Sequence, residues 1–195
     1  METLTDDDLV RMYREGDAEA FDVLFDRHCR GVYGFAHTML GDGGGAEEVL
    51  QETFLSVAQT AASYTPRGRF RSWLMRIVRN RCLNRLESRR ARQAMLQRGG
   101  PDVVDLPARG PSPSRQVQDD ERRAIVRSAV ADLPDRQREA VALYAFEQMT
   151  YREIAAVLQM PINTVKTLIH RARASLARAL EPLMQEHERE LRRDV

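Results

Sequence analysis

The 195-residue sequence holds only two cysteines, Cys29 and Cys82. Their wide separation matches neither a disulfide framework nor a metal-binding pair, which leaves free thiols in a reducing compartment. No apolar run approaches the roughly 20 residues that span a bilayer, and the acidic N-terminus is unlike a signal peptide. No membrane insertion and a cytoplasmic location are therefore expected. Catalytic signatures are missing as well: there is no P-loop, no paired set of metal ligands and no nucleophile constellation, and the four histidines lie on separate segments. These absences exclude disulfide scaffolds, membrane proteins and the common enzyme classes, and the chain is read as a non-enzyme with no metal and no cofactor.

Net charge is also nearly absent, at +1, but the sum conceals a segregation. Residues 1–63 carry many acids, among them Asp6, Asp7, Asp8, Asp22, Asp26, Glu47, Glu48 and Glu52, against the cations Arg11, Arg14, Arg27 and Arg30. Residues 64–100 hold eleven arginines against the single acid Glu87. Such asymmetry points to two kinds of partner, one of them polyanionic.

What the chain has in abundance is apolar residues at three- and four-residue spacing, which predicts an all-α fold. A first helix runs from Leu4 to Gly16 with Leu9, Val10 and Tyr13 on its apolar side. Asp17 caps a long second helix that ends near Gly41 and buries Phe21, Leu24, Phe25, Val32, Phe35, Ala36 and Met39. Gly43, Gly44 and Gly45 are expected to form a flexible break before a third helix. Val49, Leu50, Phe54 and Val57 line one side of that helix, and Glu48, Gln51, Glu52, Leu55 and Gln59 line the other. The second side is acidic and amide-rich with one exposed leucine. It is either a solubilising surface or a dock for a partner with a basic surface.

Pro66 and Gly68 interrupt the helical pattern. The loop around them, Ala61 to Arg69, joins the aromatic Tyr64 to the cations Arg67 and Arg69, the parts that stack an unpaired base and neutralise its backbone. The helix that follows, Phe70 to Arg92, is expected to bury Phe70, Trp73, Leu74, Ile77 and Val78. Arg76, Arg79, Asn80, Glu87 and Arg90 turn outward, with Asn84 at the margin. Arginines at this density repel one another on an isolated helix, which makes phosphates the expected counter-charge. Prolines, glycines and serines without periodicity then mark residues 93–118 as a flexible linker between two small helical domains, 1–92 and 119–183.

The second domain opens with a helix around Ile125, Val126, Ala129, Val130 and Leu133, turns at Pro134 and Asp135, and continues through Val141, Leu143, Tyr144 and Phe146. Thr150 and Glu153 have the spacing of a capping box, Pro161 ends the short helix they begin, and Asn163 is placed to cap the next. On the wheel of that next helix Val165, Leu168, Ile169, Ala172, Leu176, Ala179 and Leu180 share one side. Asn163, Thr167, His170, Arg171, Ala174 and Arg178 share the other, flanked by Lys166 and Arg173. A short helix, a turn and a longer basic helix make the helix-turn-helix pattern, whose second helix presents side chains to base edges in a major groove. Residues 184–195 form a mixed-charge tail, expected to be a frayed helical end.

Five stretches occur in order: G-D-A-E-A-F-D-V-L-F at 16–25, E-E-V-L-Q-E-T-F-L at 47–55, F-R-S-W-L-M-R-I-V-R-N at 70–80, L-P-D-R-Q-R-E-A-V at 133–141, and Y-R-E-I-A with the later N-T-V-K and H-R-A-R. Together they resemble the extracytoplasmic-function sigma factors of bacterial RNA polymerase. The resemblance implies a promoter-specificity subunit that performs no covalent chemistry. It implies contacts with the β′ clamp helices and β flap of core RNA polymerase, the clamp helices being met by Glu48, Gln51, Glu52 and Leu55. It assigns Tyr64, Arg67, Arg69, Arg76, Arg79, Asn80 and Asn84 to recognition and opening of the −10 promoter DNA, and Asn163, Lys166, Thr167, His170 and Arg171 to the −35 element. Control by an anti-sigma factor is also implied. The chain departs from the family pattern at Asn163, where the turn commonly has glycine, at Leu168 and at Asn84. The competing reading is a stand-alone helix-turn-helix regulator, which would use residues 119–180 and leave the acidic and arginine-rich helices without a task.

Overall fold

The computed structural model describes residues 4–96 and 116–191. The described residues form eight α-helices and one 3-10 turn, Ala61–Ser63, with no strand among them. Helices α1 (Asp6–Arg14), α2 (Ala18–Leu40), α3 (Gly43–Thr60) and α4 (Phe70–Leu96) build a first module. Helices α5 (Gln116–Ala131), α6 (Asp135–Glu147), α7 (Tyr151–Leu158) and α8 (Ile162–Leu191) build a second.

Local chemistry sets the helix ends. Thr5 and Asp8 form a reciprocal capping box at α1, each backbone N–H donating to the other's side chain at 3.2 Å. Asp17 caps α2 by accepting from the Glu19 N–H at 3.0 Å, and Gly41 ends that helix in the left-handed region at φ 75°. The flexible break expected at Gly43 to Gly45 is absent, because those glycines are the first turn of α3. The reason is Asp42: its carboxylate accepts from the Gly45 N–H at 2.5 Å and from Arg89 of α4 at 2.5 Å. A methyl group on Gly45 would stand 2.9 Å from Asp42 Oδ1, so the bare backbone is what lets this cap close.

Leu9, Leu24, Phe35, Val49, Phe70, Leu74 and Met75 are fully buried in the first module, and Leu143, Met149, Ile154, Val165 and Ile169 in the second. These residues belong to one continuous core, with α6 lying on α2 and α7 on α4. The two helical modules therefore pack on each other across this core. The side of α4 turned away from its own module meets α6 and α7, whose carboxylates and carbonyls supply the counter-charge its arginines need. Of the expected linker, residues 93–96 continue α4 and residues 116–118 begin α5, while 97–115 lie outside the described residues. Helix α8 runs through Pro182 to Leu191, which makes the first part of the expected tail helical. Cys82 is fully buried, and burial pushes its thiol up to about 12.

Four carboxylates, those of Asp6, Asp8, Asp42 and Asp135, are held below their ordinary pKa. Burial alone would raise Asp6, but the hydrogen bond and charge of His28, followed by those of Arg27, outweigh it. Burial likewise opposes the shift at Asp42, and the hydrogen bonds from Arg89 and Gly45 win. A depressed carboxylate stabilises the fold above its unfolded pKa, and this contribution disappears as pH falls through the folded value. Asp42→Ala is therefore expected to lower stability by about 1 kcal/mol at neutral pH, the usual worth of a cap. In thermal denaturation the deficit should shrink below about pH 4, where the parent's own carboxylates protonate. A deficit that does not change with pH would exclude a role for the Asp42 charge.

Candidate polymerase and promoter interfaces

The helix-turn-helix is formed by α7 and α8. Thr150 and Glu153 make the expected capping box, with Thr150 N–H donating to Glu153 Oε2 at 2.7 Å and Glu153 N–H to Thr150 Oγ1 at 3.3 Å. Gln159 closes α7 in the left-handed region, at φ 55° and ψ 47°. Helix α8 starts at Ile162, and the Thr164 and Val165 N–H groups donate to the Pro161 carbonyl at 2.9 and 3.2 Å. Asn163 therefore lies inside the first turn of α8 and is not its cap, since Pro161 already receives the first amides. The left-handed position of the turn falls on Gln159, so the departure from glycine noted at Asn163 carries no backbone strain.

Val165, Ile169 and Ala172 point into the core, Leu168, Leu176 and Leu180 are half-buried, and Ala179, expected on the same side, is exposed. Asn163, Lys166, Thr167, His170, Arg171, Ala174 and Arg178 are all exposed. Lys166 is the chain's single lysine. The Thr167 hydroxyl donates back to the Asn163 carbonyl at 2.9 Å, which fixes its rotamer, and on the flank the Arg173 guanidinium stacks 4.7 Å over the Tyr144 ring. Lys166, His170 and Arg171 form no ion pair among the described residues. The result is one exposed helix face on which Lys166, His170 and Arg171 have no ion-pair partner among the described residues.

The acidic side of α3 is divided. Arg81 of α4 bridges to Glu52 at 2.7 Å, and Arg85 bridges to Glu48 at 2.5 Å and to Glu52 at 2.7 Å. The hydrogen bond that Arg85 donates to Glu48, with that to Glu52, holds its guanidinium above the ordinary pKa. Gln51, Leu55 and Gln59 remain exposed, with Leu55 62% accessible among them. Part of the arginine density on α4 thus answers carboxylates on its neighbour, a pairing that spacing within α4 alone does not reveal.

The loop before α4 differs from expectation at its aromatic. Tyr64 is 6% exposed, its ring set against Phe70 and Trp73 with centroids 5.7 and 4.9 Å away. Its hydroxyl donates to Asp7 Oδ1 at 2.7 Å, and the Gly68 N–H donates to Asp7 Oδ2 at 2.5 Å. Burial and this carboxylate raise the phenol pKa, so the group stays protonated. A ring enclosed in this way offers no free face for a base, and Tyr64 instead anchors the loop. Arg67 and Arg69 project from it, exposed and without ion pairs among the described residues. Asp7 was not foreseen as a loop clamp. It is one of three consecutive aspartates at the start of α1, and nothing in their spacing singles it out.

On α4, Asn80 is exposed as expected and Asn84, placed at the margin, is exposed too, but Arg76 and Arg79 meet the second module. Arg76 Nη2 donates to the Ala156 carbonyl at 2.9 Å, among the last acceptors of α7. Arg79 is buried: its Nε donates to Glu139 Oε2 at 2.9 Å, and Arg136 reaches the same oxygen at 3.3 Å. A sequence signal for this existed, since Glu139 shares the stripe of Ala142 and Leu143 on α6, and a carboxylate there requires a buried cation.

No group of metal-ligating side chains occurs among the described residues, and none of their helices is long and apolar enough to cross a membrane. Residues 24–92 match the family model for Sigma-70 region 2, and residues 123–176 match that for Sigma-70, region 4. The chain is 32% identical over 190 residues to the RNA polymerase sigma-H factor of Pseudomonas aeruginosa, covering 93% of this chain and 96% of that one. It is 33% identical over 162 residues to the ECF RNA polymerase sigma factor SigK of Mycobacterium sp. (strain KMS), covering 83% of each. Among solved structures, CnrH in complex with the cytosolic domain of CnrY superposes with a TM-score of 0.68 at 25% identity, over 91% of this chain and 97% of that chain.

An all-helical pair of regions 2 and 4, the latter carrying a helix-turn-helix, defines a specificity subunit of bacterial RNA polymerase. The chain belongs to the extracytoplasmic-function sigma factors. It binds core RNA polymerase and directs promoter-specific initiation of transcription.

The Asp7 clamp yields a structural prediction. Asp7→Ala removes two hydrogen bonds to a charged acceptor, each worth about 1.5–3 kcal/mol, and should loosen the loop locally. Limited trypsin digestion is expected to cut after Arg67 and Arg69 at least about tenfold faster than in the parent. Equal cleavage rates would show that the loop is held without Asp7.

Proposed function

We propose that three faces of the molecule divide the work of promoter recognition. Gln51 and Leu55, with Glu48 and Glu52 beside them, meet the β′ clamp helices of core polymerase, and the β flap is met as well. Arg67 and Arg69 on the loop, with Arg76, Arg79, Asn80 and Asn84 on α4, take the −10 element, while Tyr64 supports the loop from below. Asn163, Lys166, Thr167, His170 and Arg171 read the −35 element in the major groove. Residues 1–92 and 119–183 act as the two functional domains. The protein works in the cytoplasm, catalyses no covalent step, and is held in check by an anti-sigma factor; the similar CnrH is in complex with the cytosolic domain of CnrY in its solved structure.

The observation that carries this reading is the exposed face of α8, where Lys166, His170 and Arg171 form no ion pair among the described residues. A solvated face would look similar in isolation, but this one follows the turn of a helix-turn-helix, where base edges are read.

Lys166→Ala and Arg171→Ala are expected to lower run-off transcription from a promoter selected in vitro by roughly 5- to 150-fold, the equivalent of 1–3 kcal/mol per base contact. Affinity for core polymerase should stay unchanged. Parallel loss of both activities would make these residues structural. For the polymerase face, Leu55→Asp is the cleaner variant, because Leu55 has no internal partner whereas reversal at Glu52 also sets like charges against Arg81 and Arg85. It should weaken core binding by at least about tenfold, consistent with losing a buried leucine at an interface. Undiminished pull-down of core enzyme would remove α3 from that interface.

A further inference from the structure

Between α2, α5 and α6 lies an open cleft of about 570 Å³, within the roughly 300–1,000 Å³ that holds a small ligand. Its apolar surface comes from Tyr33, Val126 and Phe146. Val126 and Phe146 are left 41% and 52% exposed, and apolar side chains grouped in a concavity mark a binding surface more often than scattered ones do. Gly34 shapes the floor: a Cβ there would stand 3.0 Å from Phe146 Cδ1, so the bare backbone lets the ring lie against α2. A second cavity of about 260 Å³ shares His37, Thr38 and Arg127 with the first and reaches Gly41 and Ala131. The two join into one groove along α2 from Tyr33 to Gly41. That is about 12 Å at 1.5 Å per residue, the reach of roughly ten singly bonded atoms in extended form.

The charged lining has one sign. Arg122, Arg123 and Arg127 of α5 stand along the groove, and no carboxylate lines either cavity. Arg123 and Arg127 form no ion pair among the described residues, in contrast to the arginines of α4 that carboxylates answer. The charge of Asp42 is felt at His37, but that carboxylate is already held by Arg89 and the Gly45 N–H. The Thr38 hydroxyl is spent on the Gly34 carbonyl at 2.8 Å, and the His37 ring rests against Tyr33 with centroids 5.8 Å apart. Inorganic phosphate would satisfy the guanidinium groups and leave the apolar wall wet. A plain hydrocarbon would do the reverse. A molecule with an anionic head and an extended apolar body satisfies both.

We propose that this groove binds a medium-chain carboxylate, its hydrocarbon lying on Tyr33, Val126 and Phe146 and its head group held by Arg123 and Arg127. None of these residues is among those assigned to polymerase or promoter DNA. The ligand touches α2 of the first module and α5 and α6 of the second, so occupancy raises the unfolding temperature in step with ligand concentration.

The full-length protein is titrated by isothermal calorimetry with octanoate, decanoate and 1-octanol, and its melting is followed alongside. One saturable site is expected. Decanoate should bind roughly tenfold tighter than octanoate, since each buried methylene contributes about fourfold. The uncharged 1-octanol should bind at least about fivefold more weakly than octanoate, because its head group makes no charge-assisted hydrogen bond. Two variants locate the site. Arg123→Ser combined with Arg127→Ser should weaken octanoate at least about fivefold and leave 1-octanol unchanged. Val126→Asp, which sets a negative charge on the apolar wall, should weaken decanoate at least about tenfold. All three positions are exposed, and circular dichroism checks that the helices persist. Should Val126→Asp disturb α5, the double variant and the ligand series carry the test. A parent without saturable binding, 1-octanol held as tightly as octanoate, or variants that bind both carboxylates as the parent does would overturn the site.

Discussion

An arginine shut away from water must be met by a carboxylate, and Arg79 and Glu139 satisfy that condition where α4 crosses α6. Exchanging such a pair for apolar residues is often neutral, whereas removing one member strands a charge at a cost of about 3–5 kcal/mol. The pair thus imposes a requirement more than it adds strength: α6 fits α4 only where these two side chains coincide. The other contacts follow that alignment. Asp135 comes to Arg90, Glu147 to Arg71, and the end of α7 to Arg76.

Helix α4 therefore works as a comb with teeth on two sides. Arg81, Arg85 and Arg89 engage Glu52, Glu48 and Asp42 within the first module, while Arg71, Arg76, Arg79 and Arg90 engage the second. A helix this cationic is stable because its neighbours neutralise it, and most of those neighbours are exchangeable. Ion pairs at half-exposed positions are weak and yield to competing anions.

The amphipathic pattern made much of this legible in advance. The order of helices, the capping boxes at Thr150 and the cap at Asp17, the buried line Val165, Ile169 and Ala172, and the exposed set from Asn163 to Arg171 all follow from local periodicity, which burial obeys. Features that depend on partners distant in the chain were not legible. Tyr64 looked like a stacking platform because its loop has the right parts, yet Asp7 and two aromatics enclose it. The glycines at 43–45 looked like a break because glycine disfavours helix, yet Asp42 caps them into one. Spacing within a helix reports which residues share a face, but it does not report what lies opposite that face.

Lys166 has a consequence beyond recognition. With every other basic side chain an arginine or a histidine, the chain offers one ε-amine, and that amine stands on the exposed side of α8 proposed to read the −35 element. Acylation of lysine, whether by a chemical reagent or by a modifying enzyme, would strike this side chain alone and erase its positive charge. A single covalent event could thus silence upstream sequence reading while leaving the rest of the molecule's chemistry untouched.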